Sequence, residues 1–184
     1  MNGFFASYAN QKDLNVSTTP SLNSPGKFLL VQQNKFMKHK VTIGSFGIIT
    51  NENDEILLCH RNDYDLWNLP GGGLEKNETP WDCVIREAKE ETGLNVEVSR
   101  LMGIYSKPNK DELVFMFVCN VISWKLQLNK ESRDLKYFAL KDIPKNTVPK
   151  QVERLNDYFK DKNKIYLKKQ EGQSAIEMVK TGKL

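Results

Sequence analysis

Cysteine and histidine are scarce in this chain, and it has no long apolar run. The three cysteines, Cys59, Cys83 and Cys119, are odd in number and widely spaced, which excludes a disulfide framework and a zinc-ligand pattern. Each sits in an apolar stretch and reads as a small buried hydrophobe. The two histidines offer no constellation for acid–base work. His39 precedes the strongly patterned region, and His60 alternates with Cys59 and reads as a solvent-facing strand residue. The longest apolar run, Val114 to Ile122, is broken by Asn120 and falls well short of the roughly 20 residues that span a bilayer. Met1 to Gln11 carries neither the basic start nor the apolar stretch of a signal peptide. A cytoplasmic location and no membrane partner are therefore expected. No internal repeat is visible.

What is present fits a globular domain: 39% hydrophobic and 27% charged residues in 184, enough for one core and short for two. The net charge of +4 is localised, because seven lysines from Lys160 to the end face only Asp161, Glu171 and Glu177 and account for the whole excess. Such a tail suits anionic ligands, nucleic acid included. Without arginine and with little aromatic interleaving, it reads better as a solvated face.

Three parts follow from composition: an N-terminal extension (1–40), a patterned domain (41–160) and a lysine-rich tail (161–184). In the extension, Asn10 to Lys27 has loop composition, and the apolar patch Phe28 to Val31 suits an added strand or a homodimer contact. Val41 to Thr50 and Ile56 to His60 read as strands joined by Asn51–Asp54, suggesting a hairpin. Val96 to Tyr105 and Leu113 to Ile122 read as a further pair turning over Lys107–Asp111, and Leu135 to Leu140 as another strand. A helix is expected over Gln151–Lys160, with Val152, Leu155 and Phe159 on one face. Helices interrupting a mostly hairpin-connected sheet point to a mixed α/β (α+β) domain.

The best-punctuated helix begins at Pro80. Thr79 suits its cap, Pro80 the first helical position, Asp82 a capping box, and Gly93 the residue that ends it. Trp81, Val84, Ile85 and Ala88 fall on one side and are expected to face the core. Glu87, Glu90 and Glu91 share another face, roughly a third of a turn away. Three adjacent carboxylates repel one another unless a cation sits among them, and hard oxygen ligands suit Mg²⁺ or Mn²⁺. Arg86, four residues before Glu90, can hold one carboxylate in place.

Upstream of those glutamates stand Gly72 and, six residues later, Glu78; Arg86-Glu87-Ala88-Lys89-Glu90-Glu91-Thr92-Gly93-Leu94 follows after seven more. Over Gly72 to Leu94 this resembles the Nudix box at every fixed position. Its seven identities would arise by chance on the order of 10⁻⁸ per starting point. The resemblance implies a loop–helix–loop held by a mixed β-sheet sandwiched between helices. It also implies metal-dependent hydrolysis of a pyrophosphate bond in a nucleoside diphosphate linked to another moiety. It makes Glu87, Glu90 and Glu91 the metal-binding and catalytic carboxylates, the Gly72 carbonyl a further ligand, Arg86 an orienting arginine, and Glu78 the residue that fixes the loop to the helix. Family members differ in the glutamate that serves as base, so Glu112 and Glu131 are further candidates.

A small nucleotide is the expected partner. Arg61 is a candidate for substrate phosphate and Trp67 for stacking on a base. Pro108, with Lys107 and Lys110 beside it, resembles the ADP-ribose pyrophosphatase branch and favours an ADP-ribose-like substrate. A nucleoside triphosphate and an RNA 5′ end are the alternatives. A non-hydrolytic nucleotide-binding module on the same fold would be expected to lose box carboxylates, and all are present.

Overall fold

The computed structural model describes residues 40–123, 126–128 and 132–184. Glu131 and the N-terminal segment with its Phe28–Val31 patch lie outside the described residues. The strands are β1 (Thr42–Ile49), β2 (Ile56–Arg61), β3 (Trp67–Asn68), β4 (Gly71–Gly73), β5 (Asn95–Lys107), β6 (Glu112–Ser123), β7 (Ser132–Phe138) and β8 (Tyr166–Lys169). The helices are α1 (Pro80–Thr92), α2 (Pro149–Lys160) and α3 (Ala175–Lys180).

Two sheets form, ordered β4-β1-β6-β5-β8 and β3-β2-β7. The larger is mixed, since β1 runs parallel to β6 and antiparallel to β4, while β5 runs antiparallel to β6 and parallel to β8. Successive residues on its strands point to opposite faces. Ile48 and Met116 enter one core cluster with Leu155 and Tyr158 of α2; Ile49 and Phe117 enter the other with Val84 and Ala88 of α1. One helix thus covers each face of the sheet, the sandwich that the box resemblance implied. Each fully buried aliphatic side chain here contributes about 1.5–3 kcal/mol.

Both ends of α1 form as their residues dictate. The Asp82 N–H donates to Thr79 Oγ1 at 3.2 Å, and Gly93 takes a left-handed conformation (φ 76°) with its N–H on the Lys89 carbonyl. The Asp82 carboxylate receives the Thr79 hydroxyl at 2.5 Å, so these two side chains bond to each other.

Three expectations give way. β1 and β2 are no hairpin: the turn is closed by Asn51 N–H on the Glu55 carbonyl and a single Thr50–Ile56 bridge, after which the strands diverge into separate sheets. Trp81 is 53% exposed, and Cys83 joins Val84 and Ala88 as a buried residue of α1. Residues 161–184 are more than a tail, since β8 adds a parallel strand beside β5 and α3 follows with a complete capping box from Ser174 and Glu177. Only Tyr166 of β8 is buried; Lys168, on the same face, donates to Asp157 of α2, and Lys169 is exposed, as befits a sheet edge.

Candidate active site

The glycine strand β4 is the floor of the site. Gly71 has φ 142°, and a Cβ there would sit 2.2 Å from the Ser45 carbonyl oxygen, so the position admits only glycine. Its N–H donates to Glu91 Oε2 at 2.9 Å. A Cβ on Gly72 would lie 2.5 Å from Glu87 Oε1, which shows how closely that carboxylate approaches the bare backbone.

Arg86 gathers the rest. Its Nε donates to Glu78 Oε1 at 2.7 Å and its Nη2 to Glu78 Oε2 at 3.1 Å. Its Nη1 reaches Glu87 at 3.0 Å and Glu90 at 2.8 Å, and Nη2 the Gly73 carbonyl at 3.3 Å. Glu78 also takes the Glu75 N–H at 2.8 Å, fastening the loop to the helix. The Arg86 guanidinium, helped by that N–H, holds the Glu78 carboxyl down at about 2. The carboxylates in turn raise the Arg86 pKa, so Arg86 stays charged. Cys83 donates towards Gly73 O (3.5 Å), and burial, followed by Glu78 and Glu87, pushes its thiol up to about 12. It packs as a protonated, unreactive side chain.

A cavity of about 380 Å³ opens along Gly71–Gly73, within the usual size for a small-molecule site. Arg61 and Glu112 line it, as do Lys107 and Lys110 from the turn around Pro108. Arg61 is gripped by Asp63 through bonds of 2.7 and 2.5 Å, and Glu112 by Lys107 at 2.6 Å. Trp67 has no place there, because it is 8% exposed, stacked on His60 at 4.4 Å and set edge-on to Phe138. Its antiparallel pairing with His60 turns the ring into the core, so the base-stacking role falls. Among the lining residues that the sequence reading did not single out are Asn68, Lys150, Gln151 and Arg154. Asn68 Oδ1 is buried with no hydrogen-bond partner. The signal for Arg154 was its place beside Leu155 on the buried side of an amphipathic helix, where an arginine is out of keeping.

A NUDIX domain model matches residues 38–159. The chain belongs to that family. An ADP-ribose pyrophosphatase of Methanocaldococcus jannaschii is 33% identical over 123 residues, 64% of this chain and 72% of that protein. A Bacillus subtilis protein, provisionally named an 8-oxo-dGTP diphosphatase, is 32% identical over 118 residues, 64% of this chain and 79% of that one. Among solved structures, an ADP-ribose pyrophosphatase from Streptococcus suis has a TM-score of 0.59 at 28% identity, covering 71% of this chain and 100% of that one. The chain is thus a Nudix hydrolase, a pyrophosphohydrolase by class. No helix among the described residues is long and apolar enough to cross a membrane.

Nudix hydrolases generally use a divalent metal ion. Among the described residues no three carboxylate, histidine or cysteine side chains are gathered closely enough, as they stand, to hold one. The donor chemistry nevertheless fits. Three carboxylates stand on adjacent turns of α1, and the missing side chain of Gly72 leaves backbone open against Glu87. Carboxylate and carbonyl oxygens are the hard donors that Mg²⁺ and Mn²⁺ take.

Proposed function

We propose that this Nudix hydrolase cleaves the diphosphate linkage of an ADP-ribose-like substrate, a nucleoside diphosphate joined to a further group, with Mg²⁺ or Mn²⁺. The observation that carries this reading is the glycine strand itself. Glu87 and Glu91 reach its backbone from α1, and along it runs a cavity lined by cations and large enough for a group beyond the diphosphate. The unpartnered Asn68 Oδ1 suits a hydroxyl or amino donor of a nucleoside.

Glu87, Glu90, Glu91 and the Gly72 carbonyl would hold the ion. Bound there, it supplies charge neutralisation at the phosphoryl oxygens and a lowered pKa for the attacking water. Arg86 holds Glu87 and Glu90 in position. Glu91, whose Oε2 accepts the Gly71 N–H, would take the proton as water oxygen bonds to phosphorus. The P–O anhydride bond then breaks, leaving a nucleoside monophosphate and a phosphorylated partner. Glu112 also lines the cavity, and its bond to Lys107 favours a role in positioning that lysine.

The test is a panel of ADP-ribose, other diphosphate-linked sugars and nucleoside triphosphates, assayed with Mg²⁺ and Mn²⁺ and with products identified. ADP-ribose or a relative of it should have the highest kcat/KM. A triphosphate ahead by tenfold or more, about 1.4 kcal/mol of transition-state preference, overturns the substrate and leaves the hydrolase class standing.

A further inference from the structure

Arg154 is 2% exposed, yet among the described residues its guanidinium has no carboxylate within ion-pair distance. Nε and Nη2 donate to Gln170 Oε1 at 3.0 and 2.8 Å, and Nη1 lies 3.7 Å from the Met116 sulfur. The rings of Tyr105 and Phe46 lie 5.2 and 5.8 Å away. Lys150, four residues earlier on α2, donates only to the Gly172 carbonyl among its described contacts. Both line the cavity, and so do Lys107 and Lys110. Glu112 and Glu177 answer Lys107 and Lys110, at 2.6 and 2.9 Å. The two α2 cations remain without a counter-charge in direct contact. Burial brings Arg154 down to about 10 and lowers Lys150 and Lys107 as well; neighbouring cations add to the effect on the lysines, while Glu112, and for the two α2 cations Glu153, oppose it from a distance or, at Lys107, in contact. Charges buried in this way are ordinarily paired.

We propose that Arg154 and Lys150, with Lys107 and Lys110 beside them, form a subsite for a phosphate monoester carried by the substrate in addition to the diphosphate that is cleaved. The idea rests on the reading that this cavity receives the substrate. A phosphate monoester brings close to two negative charges and three acceptor oxygens, matching a guanidinium fork and an ammonium together. Gln170 is a positioning residue. It is buried, its N–H is held by the Ser106 carbonyl, and its Nε2 by Lys150 O and Glu153, so its Oε1 is fixed beneath the guanidinium. It lies beyond residue 159, where the family match ends. Preference for the extra phosphate is therefore built partly by sequence that the matched domain does not include.

Two measurements decide it. In excess chelator, calorimetric titration with inorganic phosphate should show one saturable site, weakened at least tenfold by Lys150→Met and unchanged by Lys141→Met, an exposed lysine elsewhere. No saturable site, or equal affinity in Lys150→Met, overturns the subsite. In the second, kcat/KM is compared for ADP-ribose and its derivatives bearing one more phosphate on either ribose. One derivative should exceed ADP-ribose by tenfold or more, and Lys150→Met should collapse that ratio. If both constants fall together and the ratio survives, the cations serve the cleaved diphosphate and the proposal is wrong. Arg154→Met repeats the test at the buried position; should it fail to fold, Lys150→Met decides alone. Phosphate binding without hydrolysis of any of these substrates would sink the proposed activity and keep the subsite. Hydrolysis without phosphate binding would do the reverse.

Discussion

At one end of the site, behind the glycine strand and outside the cavity lining, four carboxylates, Glu78, Glu87, Glu90 and Glu91, stand around or beside a single arginine. At the other, four cations share two carboxylates. The acidic end is assembled within one loop and one helix. The basic end draws on β5, the turn after it, α2 and the residue following β8. The two ends also handle surplus charge differently. Arg86 touches three of the four carboxylates at once, whereas Arg154 meets only neutral partners. Chemistry common to a family can live in a short local motif, because it needs fixed spacing on one helix. Discrimination between substrates needs side chains brought from several elements, and these are free to differ between relatives.

The largest expected effect is at the acidic end. Glu91→Gln keeps an acceptor for the Gly71 N–H while removing the charge and the basicity. Turnover should fall about a hundredfold or more with the fold intact by circular dichroism. Chelator should likewise abolish turnover. A Glu91→Gln enzyme as fast as the parent would make the two ends equally dispensable and end the comparison.

Next comes Arg86→Gln, which leaves Glu78, Glu87 and Glu90 facing one another without their shared cation. The network is partly buried, so urea denaturation should show a loss of about 2 kcal/mol, between the values for exposed and buried pairs. A loss within error would mean that these charges are already screened by water.

A smaller effect contrasts Glu78 with Glu177. Both carboxyls sit at about 2 in the folded chain, against an ordinary 4.5. The cause at Glu78 is first the Arg86 guanidinium; at Glu177 it is first the Ser174 backbone and then Lys110. A carboxyl lowered by folding adds stability that is complete above its unfolded value and is lost as pH falls through its folded one. Denaturation midpoints should therefore fall between pH 4.5 and 2 in the parent, and Glu78→Gln should flatten that slope. Glu177 has a side chain 49% exposed against 12% for Glu78, so Glu177→Gln should flatten it less, and added salt should erase its share first. Equal slopes for the two variants at low and high salt would refute the distinction.

The smallest effect is at neutral pH. Glu177→Gln preserves the capping box with Ser174, since glutamine serves there too. Its melting temperature should still fall, because the contribution of the lowered carboxyl is complete at this pH, but by less than that of Glu78→Gln; an unchanged value would show that solvent already screens the Lys110 contact.

Legibility followed the same divide. The caps of α1 and the box were readable because Thr79, Pro80, Glu87, Glu90, Glu91 and Gly93 act within a few residues of one another. Trp81 was misplaced because periodicity gives direction around a helix axis, and not how far along it the packed surface reaches; Val84 and Ala88 lie further along than the first turn. The β1–β2 turn has hairpin composition, but the strands find partners distant in sequence, β6 and β7, which no local pattern specifies. β8 was hidden by its lysines, which suit an edge strand as well as they suit a solvated coil. Arg154 and Gln170 meet only in the fold, so their pairing left no mark of spacing.

The three glycines of β4 look interchangeable on paper, and a saturation library across them should sort them into three kinds. Position 71 is closed to any side chain by the Ser45 and Phe46 backbone, so its variants should be lost at the level of protein yield. At position 72 the nearest atoms belong to the flexible end of Glu87, so alanine there should fold and yet push a carboxylate aside, giving stable protein with little turnover. Position 73 borders the cavity and has nothing within 4 Å of a new Cβ. It is a graft point. Side chains of graded size installed there would narrow the cavity step by step, and substrate choice could be retuned from a single codon without disturbing the strand that carries it.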